Sequence, residues 1–271
     1  MKLKKQLDWK QSEIVDIYDE IPLWSAPYGL VLLDNIPMGQ GWNVLDIGFG
    51  TGFPLIELVQ RFDKDSKIIG VDVWKEAIDR AEKKIRILEF ENVEIIKTNA
   101  ENLDLTATSL DLVTSNLGVN NFNNRSTVYS KIYKALKDGG NFCMTSNGSE
   151  TFKELFEVFK YAFVHLKIDD SPLKEYIRNR TDSSNLIKEV QEYGFVLEKE
   201  LHSTRSMRFT SALSIFNHSI IRIAFIGGWK ELVNDKWGEF LQIVEIQIEK
   251  IIERDGCFRF TVPVSYYHFV K

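Results

Sequence analysis

The most informative stretch of the chain is Val44-Leu45-Asp46-Ile47-Gly48-Phe49-Gly50-Thr51-Gly52. Its apolar first half predicts a short buried strand, and its glycines predict a sharp turn that leaves room for a ligand against the backbone. A helix is expected to follow at Pro54, and backbone N–H groups at a helix start can bind carboxylates or phosphates. The spacing differs from the dinucleotide fingerprint G-x-G-x-x-G, because the third glycine comes one residue early. An ordinary tight turn is the alternative.

Strand-like and helix-like patterns alternate around this turn over residues 42–148, as in a parallel α/β sheet. The predicted strands are Asn43–Ile47, Lys67–Val71, Val93–Lys97, Leu110–Ser115 and Gly140–Thr145. The predicted helices between them are Pro54–Phe62, Lys75–Phe90 and Asn124–Leu136.

The C-terminal half has a less regular pattern. We predict helices at Glu150–His165 and Ser184–Tyr193, a strand at Phe195–Leu201, and a last strand at Cys257–Val270. The expected division is an N-terminal covering segment at 1–40, a core at 41–202, a helical lid insertion at 203–255, and a final core strand at 256–271. The fold class is therefore α/β, with seven mostly parallel strands, helices on both faces, and N- and C-terminal helical covering segments.

The composition narrows the class of protein. The 271 residues carry a formal net charge of −5, which argues against a general nucleic-acid binder, since such proteins carry a basic face. Cys143 and Cys257 lie far apart, and neither they nor the four histidines show metal-ligand spacing, so we expect free thiols and no metal. No apolar run reaches about 18 residues and no signal-peptide core is visible, so we expect a cytoplasmic protein without a membrane partner.

An acid closes the second predicted strand. Asp72 follows Ile68-Ile69-Gly70-Val71 and comes 24 residues after Gly48. In a parallel sheet this position lies beside the glycine turn, where a carboxylate can accept hydrogen bonds from both hydroxyls of a ribose. A solvated acid at a strand end is the alternative.

The third and fourth strands also end in polar turns. Asn99-Ala100-Glu101 resembles the D-A-E-x-L pattern of class I S-adenosylmethionine (SAM) methyltransferases, with Asn in place of the usual Asp. An Asn can still accept and donate hydrogen bonds there. Asn116-Leu117-Gly118 resembles the turn that lies beneath the methionine part of SAM in that family, and Lys137-Asp138-Gly139-Gly140 is similar to its next turn.

Together with the glycine turn, these motifs identify the chain as similar to class I SAM methyltransferases, which are Rossmann-like. The segment Tyr18–Gly29 further resembles a group with methyltransferase-11-type domains. The resemblance implies SAM as cofactor. It also implies cofactor contacts from Asp46, Gly48, Phe49, Gly50, Thr51, Asp72, Val73, Asn99, Ala100, Glu101, Asn116, Leu117 and Gly118.

Candidates for the acceptor side lie in the covering segments and after the fourth strand. They are Tyr18, Trp24, Tyr28, Asn120, Asn121, Arg208, His218 and Arg222. Arg208, His218 and Arg222 are expected in apolar helices, with the latter two on one helix face because they are four residues apart. Packing aromatics, a polar loop and a solvated helix face are the alternatives.

Three functions are consistent with these patterns. The first is methyl transfer to a small-molecule acceptor held under a helical lid, with no assigned catalytic residue, because methyl transfer depends largely on positioning. The second is a protein or nucleic-acid methyltransferase, against which stand the acidic charge and the absence of an N-P-P-[YF]-type motif. The third is a non-catalytic SAM-binding protein. The sequence leaves the acceptor and the oligomeric state open.

Overall fold

A computed structural model describes residue 15, residues 22–180 and residues 182–271. Within this part of the chain, seven strands form one sheet in the order β3-β2-β1-β4-β5-β7-β6. Their bounds are β1 Asn43–Ile47, β2 Lys67–Asp72, β3 Val93–Lys97, β4 Leu110–Asn116, β5 Leu136–Ser146, β6 Val196–Phe209 and β7 Phe258–Val270. The pairs among β1 to β5 are parallel, and β7 runs antiparallel to β5. The predicted mostly parallel α/β fold is confirmed.

The helices follow the predicted alternation. Their bounds are α1 Pro22–Asn35, α2 Leu55–Arg61, α3 Lys75–Ile87, α4 Arg125–Ala135, α5 Lys153–Leu166, α6 Ser171–Arg178, α7 Ser183–Gln191, α8 Ala212–Asn217, α9 Ile226–Glu231 and α10 Trp237–Asp255. A π-helical turn at Ile221–Phe225 leads into α9, and short 3₁₀ turns lie at Ala100–Asn102, Gly118–Asn121 and Asn234–Lys236.

Successive residues of the central strands pack into cores on opposite faces of the sheet, because side chains alternate along a strand. On β1, Val44 belongs to the core that includes α1, α2 and α3, and its neighbour Leu45 belongs to the core that includes α4 and α7. On β4, Leu112 and Val113 divide in the same way. Burial on both faces explains why these strands read as continuous apolar runs.

The chain divides into two compact units. Among the described residues, the larger unit comprises 15, 22–146, 182–203 and 264–271, and the smaller comprises 147–180 and 204–263. In the smaller unit, the ring centroid of Phe159 lies 5.3 Å from that of Trp229 and 4.9 Å from that of Phe240. These aromatic contacts join α5 to α9 and α10.

Two details of the predicted lid insertion are wrong. Residues 203–209 are not helical, because β6 continues through Arg208 to Phe209 as a neighbour of β7. Backbone pairing in the sheet outweighs the weak local pattern there. His218 and Arg222 do not share one regular helix either, since α8 ends at Asn217 and the backbone is extended at His218, with ψ of 134°.

Candidate functional site

The glycine turn, residues 48–52, follows β1 and lies between the ends of β2 and β4. β1 pairs with β2 on one side and with β4 on the other, because the chain runs outward from β1 to β3 and then crosses back to place β4 on the opposite side of β1. The Gly48 amide donates to the Val71 carbonyl at 2.7 Å, which anchors the start of the turn to β2. Open α/β sheets bind ligands outside the carboxyl ends of the strands at such a reversal.

The glycine turn touches the turn after β4 through bare backbone. Gly48 has a φ of +84°, and a Cβ there would lie 3.2 Å from the Gly118 Cα. A Cβ on Gly118 would lie 2.5 Å from Ser115 Oγ and 2.7 Å from the Ile47 carbonyl oxygen. Both positions therefore exclude side chains, and the two turns form one closely packed backbone surface.

The Asp72 carboxylate organises the glycine turn. Its Oδ2 accepts a hydrogen bond from the Gly50 amide at 2.7 Å. Its Oδ1 accepts from the amides of Val73 at 2.7 Å and Trp74 at 2.8 Å. A carboxylate has about four acceptor positions, so these contacts leave capacity for a ligand hydroxyl. Val73 is 62% exposed, which presents an apolar side chain beside this carboxylate.

Asp46 is a fully buried carboxyl directly before the glycine turn. Its Oδ1 accepts from Thr114 Oγ1 at 2.8 Å, and Oδ2 has no hydrogen-bond partner among the described residues. Burial raises the pKa of Asp46 to about 7, because removal of water disfavours the charged form, and the nearby Asp72 charge raises it further. A cation bound nearby would favour ionisation of this carboxyl.

The turn after β4 is held from β5. Asn116 Oδ1 accepts from Thr145 Oγ1 at 2.8 Å, and Asn116 Nδ2 donates to the Ser25 carbonyl at 3.3 Å. Ser146 Oγ donates to Asn120 Oδ1 at 2.8 Å. Thr145 and Ser146 were not among the sequence candidates, although two hydroxyl residues directly after the apolar part of a buried strand could have indicated them.

The residues after β3 have different roles. Asn99 is exposed and Ala100 is buried. The Glu101 carboxylate accepts from the amides of Asn123 at 2.8 Å and Asn124 at 3.1 Å, so it anchors the loop before α4. Its direct contribution to cofactor binding stays a prediction.

The other candidates in the larger unit are placed as follows. The side chains of Phe49 and Thr51 are buried, which leaves their backbone for any ligand contact. Tyr28 is buried and Trp24 is partly buried, with ring centroids 6.2 Å apart. Asn121 is exposed. Tyr18 lies outside the described residues.

The smaller unit carries the remaining acceptor candidates. Arg208 is exposed on β6, and Arg222 is partly buried in the π-helical turn, where its amide donates to the His218 carbonyl at 3.0 Å. The His218 ring is half-buried, its Nδ1 has no partner among the described residues, and burial lowers its pKa. No group of three or more His, Cys, Asp or Glu residues in the described part of the chain could hold a metal.

An open, mostly parallel sheet with a glycine turn after β1 and an acid at the end of β2 defines a cofactor-binding α/β domain. Residues 39–200 match the methyltransferase domain family, and the chain belongs to that family. The resemblance of the ordered motifs to SAM-dependent methyltransferases is thereby confirmed, and SAM is the cofactor of this class.

Known proteins support the family and the fold. The chain is 30% identical to demethylmenaquinone methyltransferase of Lactococcus lactis over 50% of this chain and 56% of that protein. It is 29% identical to malonyl-[acyl-carrier protein] O-methyltransferase of Priestia megaterium, over 59% and 56% respectively. The chain thus spans about half the length of these relatives. The crystal structure of Bacillus subtilis YcgJ matches with a TM-score of 0.60 and 16% identity, over 91% of this chain and 98% of that one.

Helices long and apolar enough to cross a membrane are absent from the described residues.

Proposed function

We propose that this chain transfers a methyl group from SAM to a small organic acceptor. The observation that carries the proposal is the closely packed surface formed by the glycine turn and the turn after β4, with the Asp72 carboxylate beside it. This surface stands at the strand ends where an open α/β sheet binds its ligand. The family to which the chain belongs supports the same activity.

The residues of the larger unit fit SAM. Gly48 and Gly118 pack backbone against backbone, and no side chain from either position extends toward an extended ligand at this turn. Asp72 has acceptor capacity for a ribose hydroxyl, and the exposed Val73 beside it offers an apolar surface to a purine. The buried Asp46 carboxyl, with Oδ2 unpaired among the described residues, fits a ligand that carries positive charge.

SAM supplies a methyl group bonded to a positively charged sulfur, which makes that carbon electrophilic. The contribution of the protein is to hold the acceptor's lone pair in line with it and to exclude water, and such positioning can provide much of the rate. Asn116, Leu117 and Gly118 are proposed to orient the donor from the end of β4. We assign no general base.

The acceptor is proposed to be a small molecule with a polar or anionic group. The two relatives are named demethylmenaquinone methyltransferase and malonyl-[acyl-carrier protein] O-methyltransferase. In this chain, Asn120, Asn121, Arg208, His218 and Arg222 are the proposed acceptor contacts. An Arg can bind a carboxylate or phosphate through two parallel hydrogen bonds. Residues 203–255 and the N-terminal segment are proposed to cover the acceptor.

The proposal predicts that the purified protein binds SAM and S-adenosylhomocysteine in calorimetry. It also predicts transfer of a labelled methyl group from SAM to a small molecule in a metabolite extract, detected by mass spectrometry. A folded protein that binds neither ligand at millimolar concentration would contradict the cofactor assignment. Labelling of the amino-acid side chains of intact protein, or of nucleic acid, without a labelled small molecule, would contradict the acceptor class.

Replacement of Arg208 or Arg222 by Ala should lower kcat/KM for the acceptor found in that extract by about 10- to 100-fold, the usual scale for a hydrogen bond to a charged group. SAM affinity should stay unchanged. Arg254→Ala is the control, since Arg254 is an exposed arginine of the same unit that pairs with Asp255 at 2.7 Å. An equal loss of SAM affinity in the test variants would indicate a structural role instead.

A further inference from the structure

A buried hydroxyl on β5 makes hydrogen bonds to two consecutive residues at the end of β4. Thr145 and Asn116 are paired in the β4–β5 register, and both side chains are buried. Thr145 Oγ1 donates to Asn116 Oδ1 at 2.8 Å and accepts from the Leu117 amide at 3.1 Å. The hydroxyl therefore uses its single proton on the carboxamide and a lone pair on the backbone.

These two hydrogen bonds restrain the Asn116 carboxamide and the Leu117 backbone, each of which could adopt another conformation. A carboxamide can flip, and the bond from Thr145 places Oδ1 toward β5, so that Nδ2 faces the Ser25 carbonyl. Leu117 has a φ of +63°, in the left-handed region that non-glycine residues rarely adopt. Strained conformations of this kind persist only where neighbouring contacts hold them. The Thr145 hydroxyl is such a contact.

A small displacement of the Asn116–Gly118 turn would also displace the glycine turn. Gly118 follows Leu117, and its neighbours leave no space for even a Cβ. A Cβ built there would lie 2.5 Å from Ser115 Oγ and 2.7 Å from the Ile47 carbonyl oxygen. Close-packed groups transmit small displacements to one another, so the two turns move together. The position of the Asn116–Gly118 turn is thus coupled to the shape of the glycine turn.

We propose that Thr145 is a positioning residue for methyl transfer. Its hydroxyl sets the orientation of the Asn116 carboxamide and the left-handed conformation of Leu117, and through them it shapes the surface that holds the methyl donor. The next residue of β5 supports this role, because Ser146 Oγ holds the far side of the same turn through Asn120 Oδ1. The inference rests on the proposed function, since it assigns the Asn116–Gly118 turn to SAM.

The test compares calorimetric affinities for SAM and S-adenosylhomocysteine among wild type, Thr145→Val, Thr145→Ser and Thr151→Val. Val has the shape of Thr but leaves Asn116 Oδ1 and the Leu117 amide without the Thr145 bonds. We expect Thr145→Val to weaken both affinities about tenfold, as for the loss of one or two buried hydrogen bonds. Thr145→Ser keeps the hydroxyl and should restore affinity to within about twofold of wild type.

Thr151→Val controls for loss of a buried threonine hydroxyl. Thr151 is fully buried, and its Oγ1 donates to the Gly148 carbonyl at 3.0 Å, in the smaller unit. This variant should lose thermal stability without losing affinity. If circular dichroism shows Thr145→Val unfolded, Thr145→Cys replaces it, because a thiol is only a weak donor.

Undiminished affinity in Thr145→Val, or weak affinity that Thr145→Ser does not restore, would overturn the positioning role while leaving the proposed function in place. A wild-type protein that binds neither ligand would overturn the proposed function and this inference together.

Discussion

Asp46→Asn is expected to make the ligand-free protein more stable at neutral pH. In the wild type, burial raises the pKa of Asp46 from its ordinary 3.8 to about 7. Between these values the unfolded chain releases the proton and the folded protein keeps it, so stability falls as pH rises. Below the unfolded pKa the carboxyl is neutral in both states, and above about pH 7 it is ionised in both. Ionisation of Asp46 in the folded protein therefore lowers the free energy of unfolding by roughly 4 kcal/mol in total, at about 1.4 kcal/mol for each unit by which the pKa is raised.

An asparagine does not titrate, so the stability of Asp46→Asn relative to wild type should increase with pH. The increase between pH 5 and pH 8 should be about 2–3 kcal/mol, measured by urea unfolding of both proteins at each pH. The Thr114 hydroxyl can still donate to the asparagine oxygen, which keeps the bond seen at 2.8 Å. A difference that does not change with pH would contradict the raised pKa.

Asp63→Asn provides a control of opposite sign. Hydrogen bonds from the Ser66 hydroxyl and the Gly41 amide hold the pKa of Asp63 below its ordinary value. Ionised Asp63 therefore stabilises the fold above the unfolded pKa, and this contribution is lost as pH falls through the lowered folded pKa. The asparagine variant should be less stable than wild type at neutral pH, whereas Asp46→Asn should be more stable.

The same Asp46→Asn protein should bind SAM about tenfold more weakly, because a buried carboxylate opposite a cationic ligand is lost. A gain in stability together with a loss of affinity would indicate that the buried carboxyl, whose Oδ2 has no partner among the described residues, is retained for binding. A gain in stability with unchanged affinity would contradict the assignment of Asp46 to the cofactor site.

Asp72→Ala is expected to weaken SAM binding by about 1.5–3 kcal/mol, the usual scale for hydrogen bonds to a charged group. This corresponds to roughly 10- to 150-fold in the dissociation constant. The variant loses an acceptor for ribose hydroxyls, and it also leaves the amides of Gly50, Val73 and Trp74 without the carboxylate that now holds them. Calorimetry with SAM gives the affinity, and thermal unfolding gives the accompanying loss of stability.

Asp182→Ala is a matched control for the backbone contacts. The Asp182 carboxylate accepts from the amides of Ser184 at 3.0 Å and Asn185 at 3.2 Å at the start of α7. Its loss should cost about 0.5–2 kcal/mol of stability, as for other helix N-caps, and should leave SAM affinity unchanged. Equal affinities for SAM in Asp72→Ala and wild type would show that another residue holds the ribose.

Local patterns were sufficient to place the central strands of the sheet. The predicted and observed bounds coincide for β1 and β3, because apolar runs bounded by turn residues indicate buried strands whatever their partners. The glycine spacing and the strand-end residues also identified the methyltransferase family. Sequence patterns did not predict a strand where its formation depends on backbone hydrogen bonds to a neighbouring strand. Residues 203–209 carry no clear strand alternation, and their pairing in the sheet made them part of β6.

The order of motifs along the chain was therefore readable from residue types alone, since turns, strand cores and caps depend on local backbone chemistry. The tertiary structure was needed to show what each side chain contacts. It joined Asp72 to the Gly50 amide, Glu101 to the loop before α4, and Thr145 to Asn116. Those contacts link residues 22 to 29 positions apart in sequence, and they exist because parallel strands bring their carboxyl ends to one edge of the sheet.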